Sequence, residues 1–303
     1  MPLSATMLCS IEGVAMSKVW LVTGSSRGFG RAIVNGVLRA GHRLVATARD
    51  TGPLAYLSAE FGERVRLFAL DVTDPTAARR AVQVAVEEFG RLDVVVNNAG
   101  YSDVASIEHM EEEVFRAQIE TNLFGVVNVT RAALPQMRRQ RSGHFIQFSS
   151  IGGRTGAPGL SAYQAAKFAV AGFSEVLATE TAALGIKVTI IEPGAFRTDW
   201  AGSSMRITPI DPDYASSVGY VANHLRTNNG KQPGDPARAA QVLLKLVAMD
   251  APPLHLLLGR DAVDIAAAVA RKLAESDAKY RELSLSTEFQ DELAASAEEF
   301  SLE

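Results

Sequence analysis

Short runs of apolar, often β-branched residues recur along the chain and alternate with longer stretches whose apolar positions repeat at helical spacing. The short runs fall at 19–23, 43–48, 65–70, 92–97, 144–149, 187–192 and 254–258; segments such as 75–89 and 162–184 carry the helical pattern. Parallel strands need a crossover long enough to hold a helix, so this alternation predicts stacked βαβ units. LDVVVNNAG and IKVTIIEPG are apolar throughout until they reach a polar or glycine-rich end, as expected of strands buried on both faces. The predicted fold is α/β: a single Rossmann-type domain with a doubly wound, seven-stranded parallel sheet and helices on both faces. Ligands of such a sheet gather beyond the carboxyl ends of the strands.

Three segments break the rhythm. Residues 199–235 hold Pro209, Pro212, Pro233 and several glycines with no strand of their own, and are read as an insertion after the sixth strand that folds over the substrate as a lid. Residues 1–16 have neither the basic start nor the long apolar core of a signal peptide. They are expected to be a loose extension before a domain at 17–260, with Met16 an alternative start. Residues 261–303 form a tail whose Ala-rich part, 261–283, is predicted to be a helix packed on the domain or on a partner subunit, with no catalytic residue.

Composition narrows the function. Thirty basic against 34 acidic residues leave a formal net charge of −4, which argues against a nucleic-acid partner needing a basic face. No apolar stretch approaches the roughly 18 residues of a membrane span. Cys9 is the sole cysteine, so no disulfide can form within the chain, and a cytoplasmic setting is expected. His42, His109, His144, His224 and His255 are scattered without ligand spacing, so no metal site is predicted. A small-molecule substrate fits best.

The chemistry sits at strand ends. After the first strand comes Thr23-Gly24-Ser25-Ser26-Arg27-Gly28-Phe29-Gly30 and then a helical pattern. Glycines there allow a tight turn and close backbone approach to a pyrophosphate at a helix amino end, although a glycine turn alone can be purely structural. Tyr163 and Lys167 are four residues apart, hence on one face of a helix. An adjacent ammonium favours the phenolate and would fit the tyrosine for proton exchange; an ordinary surface pair is the alternative. Asn122 lies in IETNLFGVV, an apolar helical run where asparagine needs buried partners. At the end of the second strand Ala48-Arg49 stands where an acidic residue would accept from a free ribose, and Arg27 adds a second guanidinium. NADP(H) is therefore expected over NAD(H), with Asp50 the dissenting neighbour.

The T-G-x-x-x-G-x-G spacing, Asn97-Asn98-Ala99-Gly100, Tyr163-x-x-x-Lys167 and Pro193-Gly194-Ala195-Phe196-Arg197-Thr198, in this order, resemble the short-chain dehydrogenase/reductase family over about 18–259. EPGAFRTDW leans toward its hydroxysteroid- and retinol-dehydrogenase-like members. The resemblance implies a catalytic set of Asn122, Ser150, Tyr163 and Lys167. Ser150 would donate to the substrate oxygen, with Ser149 the alternative one place away, and Asn122 would bend its helix and hold a water linked to Lys167. It further implies cofactor contacts from Gly24, Ser26, Arg27, Gly28, Phe29, Gly30, Arg49, Asp71, Val72, Asn98, Ala99, Gly100, Tyr163, Lys167, Pro193, Gly194, Phe196 and Thr198. Asp71 and Val72 would flank the adenine and Thr198 would hold the nicotinamide carboxamide. The implied activity is carbonyl–alcohol interconversion by a homodimer or homotetramer. Apolar and aromatic residues of the insertion (Trp200, Met205, Ile207, Ile210, Tyr214, Val218, Tyr220, Leu225), with Phe196 and the turn at 157–160, predict a bulky apolar ketone or aldehyde. Arg197 and Arg206 are the cations that could alter that reading. A non-catalytic NADP(H)-sensing protein and a 3-oxoacyl thioester reductase are the alternatives; a sugar-nucleotide epimerase would carry T-G-x-x-G-x-x-G instead.

Overall fold

Each predicted apolar run becomes a strand of one parallel sheet: β1 (Val19–Val22), β2 (Arg43–Ala48), β3 (Val65–Ala69), β4 (Val94–Asn97), β5 (Gly143–Phe148), β6 (Ile186–Pro193) and β7 (His255–Leu258). The computed structural model describes residues 17–202 and 204–289; the expected extension at 1–16 and the end of the tail lie outside them. The strand order is β3-β2-β1-β4-β5-β6-β7. Winding therefore reverses between β1 and β4, and the crevice beyond their carboxyl ends is the switch point where such sheets bind ligands.

Successive side chains on the strands supply two separate cores. Trp20, Val22, Leu44, Ala46, Val94, Val96 and Ile146 face α1 (Gly28–Arg39), α2 (Ala55–Phe61) and α8 (Pro236–Ala248). Val19, Leu21, Val45, Val95 and Phe145 face α3 (Pro75–Phe89), α5 (Gly125–Gln140) and α6 (Ser161–Thr181). Both faces are thus apolar, the reason the strands read as continuous hydrophobic runs. Two helices start on the same local device: Asp74 accepts from Thr76 N at 2.7 Å ahead of Pro75, and Asp235 accepts from Ala237 N at 2.8 Å ahead of Pro236. Each satisfies an orphan N–H and places proline where its missing donor costs nothing.

Between α4 (Glu112–Ile119) and α5 the helix continues through a π turn, Glu120–Phe124. The insertion is partly helical, with a 3₁₀ turn at Asp199–Ala201, another at Pro212–Tyr214, a π turn at Ala215–Gly219 and α7 (Tyr220–Thr227). It is pinned to the loop after β4, where Val104 N–H donates to Arg206 O at 2.8 Å and Thr208 N–H to Val104 O at 2.9 Å. The tail forms α9 (Arg260–Leu285), of which only Ala262 and Ala266 are fully packed on the domain. No helix among the described residues is long and apolar enough to cross a membrane.

One buried titratable group tests this packing. His144, near the start of β5, is 4% exposed, and burial, with lesser contributions from Lys187 and Lys18, lowers its pKa to about 4. Its Nε2 is 3.0 Å from Thr189 Oγ1, whose own proton goes to Pro253 O at 2.8 Å, so the neutral ring donates from Nε2. Above its ordinary value of 6.5 the ring is neutral folded or unfolded and does not affect stability; as pH falls below that value the unfolded chain takes up a proton that the folded one refuses. This residue should therefore cost the fold about 2 kcal/mol by pH 5. Denaturant unfolding at pH 7.5 and pH 5 should show a smaller acid-side loss in His144→Gln than in the parent; equal losses would contradict this assignment.

Candidate functional site

The carboxyl ends of the strands open on a cavity of about 530 Å³ that runs from the glycine turn to the insertion. At its base the first turn is locked to the turn after β4. Asn98 Nδ2 donates to Thr23 O at 2.9 Å and Gly24 O at 3.1 Å, and Thr23 Oγ1 accepts from Asn98 N and Ala99 N at 3.0 and 3.1 Å. Glycine is required here. A Cβ on Gly30 would come 2.0 Å from Gly24 O, one on Gly24 would come 2.9 Å from Ala99 Cα, and Gly24 and Gly28 have φ of 66° and 52°. Arg27 stands at the N-cap of α1 with extended backbone, so the free N–H groups of that helix face the cavity mouth.

Every cofactor contact implied by the sequence lines this cavity except Gly30, which lies beneath the turn. Asp71 Oδ1 accepts from Thr73 N and Oγ1 at 2.9 and 2.7 Å. The Thr73 backbone N–H above all, and Arg49 nearby, hold its carboxyl below the usual range. Val72 packs where α5 begins, so closely that a Cβ on Gly125 would be 2.5 Å from it. Asp50 turns away: its Oδ1 accepts from Gly52 N at 2.9 Å, and it does not line the cavity. Arg27 and Arg49 therefore flank the corner without it. Glycines in a tight turn, a helix amino end and two guanidiniums together fit a dinucleotide with its phosphates.

Farther along, Ser150, Tyr163 and Lys167 meet. Ser150 follows β5, accepts from Gly152 N at 3.0 Å, and lines the cavity beside Tyr163, near enough for its hydroxyl to favour the tyrosine's ionised form. Ser149 instead donates to Lys167 O at 2.8 Å, a structural bond that separates the two serines. Lys167 Nζ donates to Phe148 O at 2.6 Å and lies 5.6 Å from the Tyr163 ring centroid. Desolvation pushes the Tyr163 hydroxyl up to about 12, against a lesser lowering effect of the Ser150 hydroxyl, and lowers Lys167 to about 8. This reverses the expected direction for the tyrosine. A charge some way off the ring does not offset removal from water. Asn122 is fully buried in the π turn and wholly engaged: Nδ2 donates to Gln118 O and Tyr101 O, both at 2.9 Å, and Oδ1 accepts from Tyr101 N at 3.1 Å. It ties the helix to Gly100-Tyr101, with the Asn122 Oδ1 atom 2.4 Å from where a Gly100 Cβ would be.

At the far end Trp200 tilts over Tyr163, ring centroids 5.2 Å apart. The insertion covers less of the cavity than its composition implies. Met205, Val218 and Ala222, with Ile207, Ile210 and Tyr214, pack with Val104 and Leu160 into a small core of their own. Of the eight insertion residues expected to form the wall, Trp200 and Leu225 alone reach the cavity, and Tyr220 is 69% exposed. Phe196, Ala157 and Leu160 line it as expected. Arg197 donates to Gln232 O at 3.0 Å and Arg206 faces Asp103 and Glu111, so neither cation enters. Thr121, Ile151, Thr155, Gln232, Asp261 and Ile265 line the cavity unannounced by any motif. Asp261 and Ile265 bring the first two turns of the C-terminal helix, read from the sequence only as packing on the domain or a partner, to the cavity wall. The rule that strand ends carry function could have found Asp261, three residues past β7.

The model of the short chain dehydrogenase family matches residues 18–206. "Oxidoreductase BOA17" of Botryotinia fuckeliana is 51% identical over 90% of this chain and all of its own. A short-chain dehydrogenase from Streptomyces avermitilis superposes with a TM-score of 0.85 at 40% identity, covering 90% of this chain and 100% of that one. An alcohol dehydrogenase from Thermococcus sibiricus, solved in complex with 5-hydroxy-NADP, has a TM-score of 0.67 at 26% identity over 80% of this chain and 96% of its own. With the glycine turn, the buried lysine under its tyrosine and the sheet order that carries them, these likenesses make the chain an oxidoreductase-type member of the short-chain dehydrogenase family.

Proposed function

We propose that the protein is an NADP(H)-dependent oxidoreductase that interconverts a bulky, apolar ketone or aldehyde and its alcohol. The observation that carries this is the meeting of Ser150, Tyr163 and Lys167 in the same cavity onto which the glycine turn opens. Gly24, Ser26, Gly28 and Phe29 would hold the pyrophosphate, Asp71 and Val72 the adenine, and Asn98, Pro193, Phe196 and Thr198 the nicotinamide side. When bound, the cofactor supplies the hydride for the carbonyl carbon, or takes it up in the reverse direction.

The chain's own residues handle the proton. With its hydroxyl near 12, Tyr163 is protonated at neutral pH and ready to give its proton to a carbonyl oxygen. Ser150 shares that oxygen by hydrogen bonding. Lys167, mostly ammonium below about 8, opposes with its positive charge the negative charge left on the phenolate, and its bond to Phe148 O fixes where that charge sits. Asn122 acts at one remove, by holding Gly100-Tyr101 and the helix bend beside the lysine.

For the nucleotide, Arg49 and Arg27 on the wall and Asp50 engaged with its own backbone favour a 2′-phosphate over a free ribose. For the substrate, Trp200, Leu225, Leu160 and Ala157 make an apolar end, and the cations among the lining residues are Arg27, Arg49 and Lys167. That end offers nothing to a carboxylate or phosphate, which disfavours an acyl-carrier thioester. The exposed Phe124, Phe168 and Val176 on neighbouring helices fit a homo-oligomer.

Tyr163→Phe is expected to keep NADPH binding within a few-fold while turnover drops by roughly two orders of magnitude or more, since only the proton donor is lost. Retention of a tenth of the parent rate in initial-rate assays would rule out this role. Arg49→Asp should weaken NADPH and improve NADH, because a carboxylate repels the 2′-phosphate and accepts from ribose hydroxyls; a parent that already prefers NADH contradicts the nucleotide assignment. Catalytic efficiency on an aryl ketone should exceed that on a ketose of similar size, and the opposite order would refute the apolar end as the specificity element.

A further inference from the structure

The segment that closes β6 is gripped from two sides. On one side is the far end of the insertion: Gly234 N–H donates to Ala195 O at 3.1 Å, Arg197 N–H to Gly234 O at 2.9 Å, and the Arg197 guanidinium to Gln232 O. On the other is the C-terminal helix. Asp261 stands in the first turn of α9, two residues after Gly259, whose φ of 98° turns the chain out of β7. Its Oδ2 accepts the Ala195 N–H at 2.6 Å. The carboxylate also lies against Gly194, where a Cβ would come within 2.3 Å of both its oxygens. Gly194 N–H goes to Leu258 O at 2.9 Å, so backbone and side chain hold the turn together.

This arrangement is a poor way to stabilise a fold. Asp261 is half-buried on the cavity wall, and its Oδ1 atom is buried without a hydrogen-bond partner among the described residues; a partly covered carboxylate with one oxygen unpaired recovers little from a single neutral donor. A carboxylate serving its own helix dipole would gain the same benefit turned outward to solvent. Here it is turned onto another element, and the peptide it holds leads directly into Phe196 and Thr198. Phe196 packs on Phe29 of the glycine turn, ring centroids 4.8 Å apart, and the Thr198 side chain faces Gly28, where a Cβ would be 3.3 Å away. The Ala195 N–H is thus the point from which α9 sets the spacing between the β6 turn and the glycine turn.

We propose that Asp261 is a positioning residue for the nicotinamide side of the cofactor site, acting through the Ala195 N–H. The proposal rests on the dinucleotide reading above. It makes the C-terminal helix a working part of the site, although none of its other polar residues reaches the cavity.

The test compares the parent, Asp261→Ala and Asp261→Asn, since an asparagine oxygen can still accept from Ala195 while carrying no charge. NADPH affinity is read by fluorescence, KM and kcat by initial rates, and folding by thermal melting. Asp261→Ala should raise the Kd and KM for NADPH about tenfold or more, with ketone KM little changed and the melting temperature near the parent's. Asp261→Asn should restore NADPH KM to within about threefold of the parent. If Asp261→Ala does not fold, Asp261→Ser, too short to span the gap, takes its place. Unchanged NADPH KM in the alanine or serine variant, or equal impairment of alanine and asparagine variants, would overturn the role of Asp261. A parent that binds neither NADPH nor NADH would overturn the dinucleotide reading, and this role with it.

Discussion

The close approach of two backbones at the switch point is the constraint on which the site depends. Gly30 and Gly24 meet with no room for a side chain, and the Asn98 amide bridges Thr23 O and Gly24 O across the gap. The first helix can therefore start directly over the ends of β1 and β4, with its unpaired N–H groups aimed into the crevice. Any Cβ at Gly30 would meet Gly24 O and lift the helix from the sheet. The rest of the cavity is hung from that junction. Ala99-Gly100 continues from Asn98, Asn122 holds Gly100-Tyr101 in turn, and the β6 turn closes on the same corner through Phe196 and Phe29.

Around Tyr163 and Lys167 burial outweighs pairing. Tyr163 and Lys167 each move toward the neutral form because water is excluded around them. For a tyrosine that donates a proton this is a useful resting state, since it arrives protonated. The lysine, pinned to Phe148 O, keeps a fixed place near the ring where a developing negative charge would feel it. The π turn has a comparable role in geometry. One residue too many in the helical repeat turns Asn122 inward, where each of its polar atoms finds a backbone partner.

The insertion and the tail are more closely integrated than their sequences imply. Much of the apolar surface of the insertion is spent on a small core that anchors it to Val104 and Leu160, leaving Trp200 and Leu225 to face the cavity. That core anchors the insertion beside the cavity, where the Trp200 ring lies 5.2 Å from the Tyr163 ring. The tail enters through Asp261 and Ile265 in its first two turns, and beyond Ala266 the helix leaves the domain.

What the chain determines by itself is local and periodic. Seven apolar runs, helical spacing between them and glycines at strand ends are near-neighbour properties, and they led to the sheet, its strand positions within about two residues, and the glycine turn; the NNAG and YxxxK elements that line the cavity were legible through the resemblance to the short-chain dehydrogenase/reductase family. Tertiary structure decided what depends on the surroundings of a residue. It separated Ser149 from Ser150 by giving the former to Lys167 O, and turned Asp50 onto Gly52. It removed Arg197 and Arg206 from the cavity, reversed the direction in which Tyr163 titrates, and brought Asp261 from the far end of the chain against Gly194. Hydrogen-bond partners and desolvation are set by atoms remote in sequence, and no spacing within the chain encodes them.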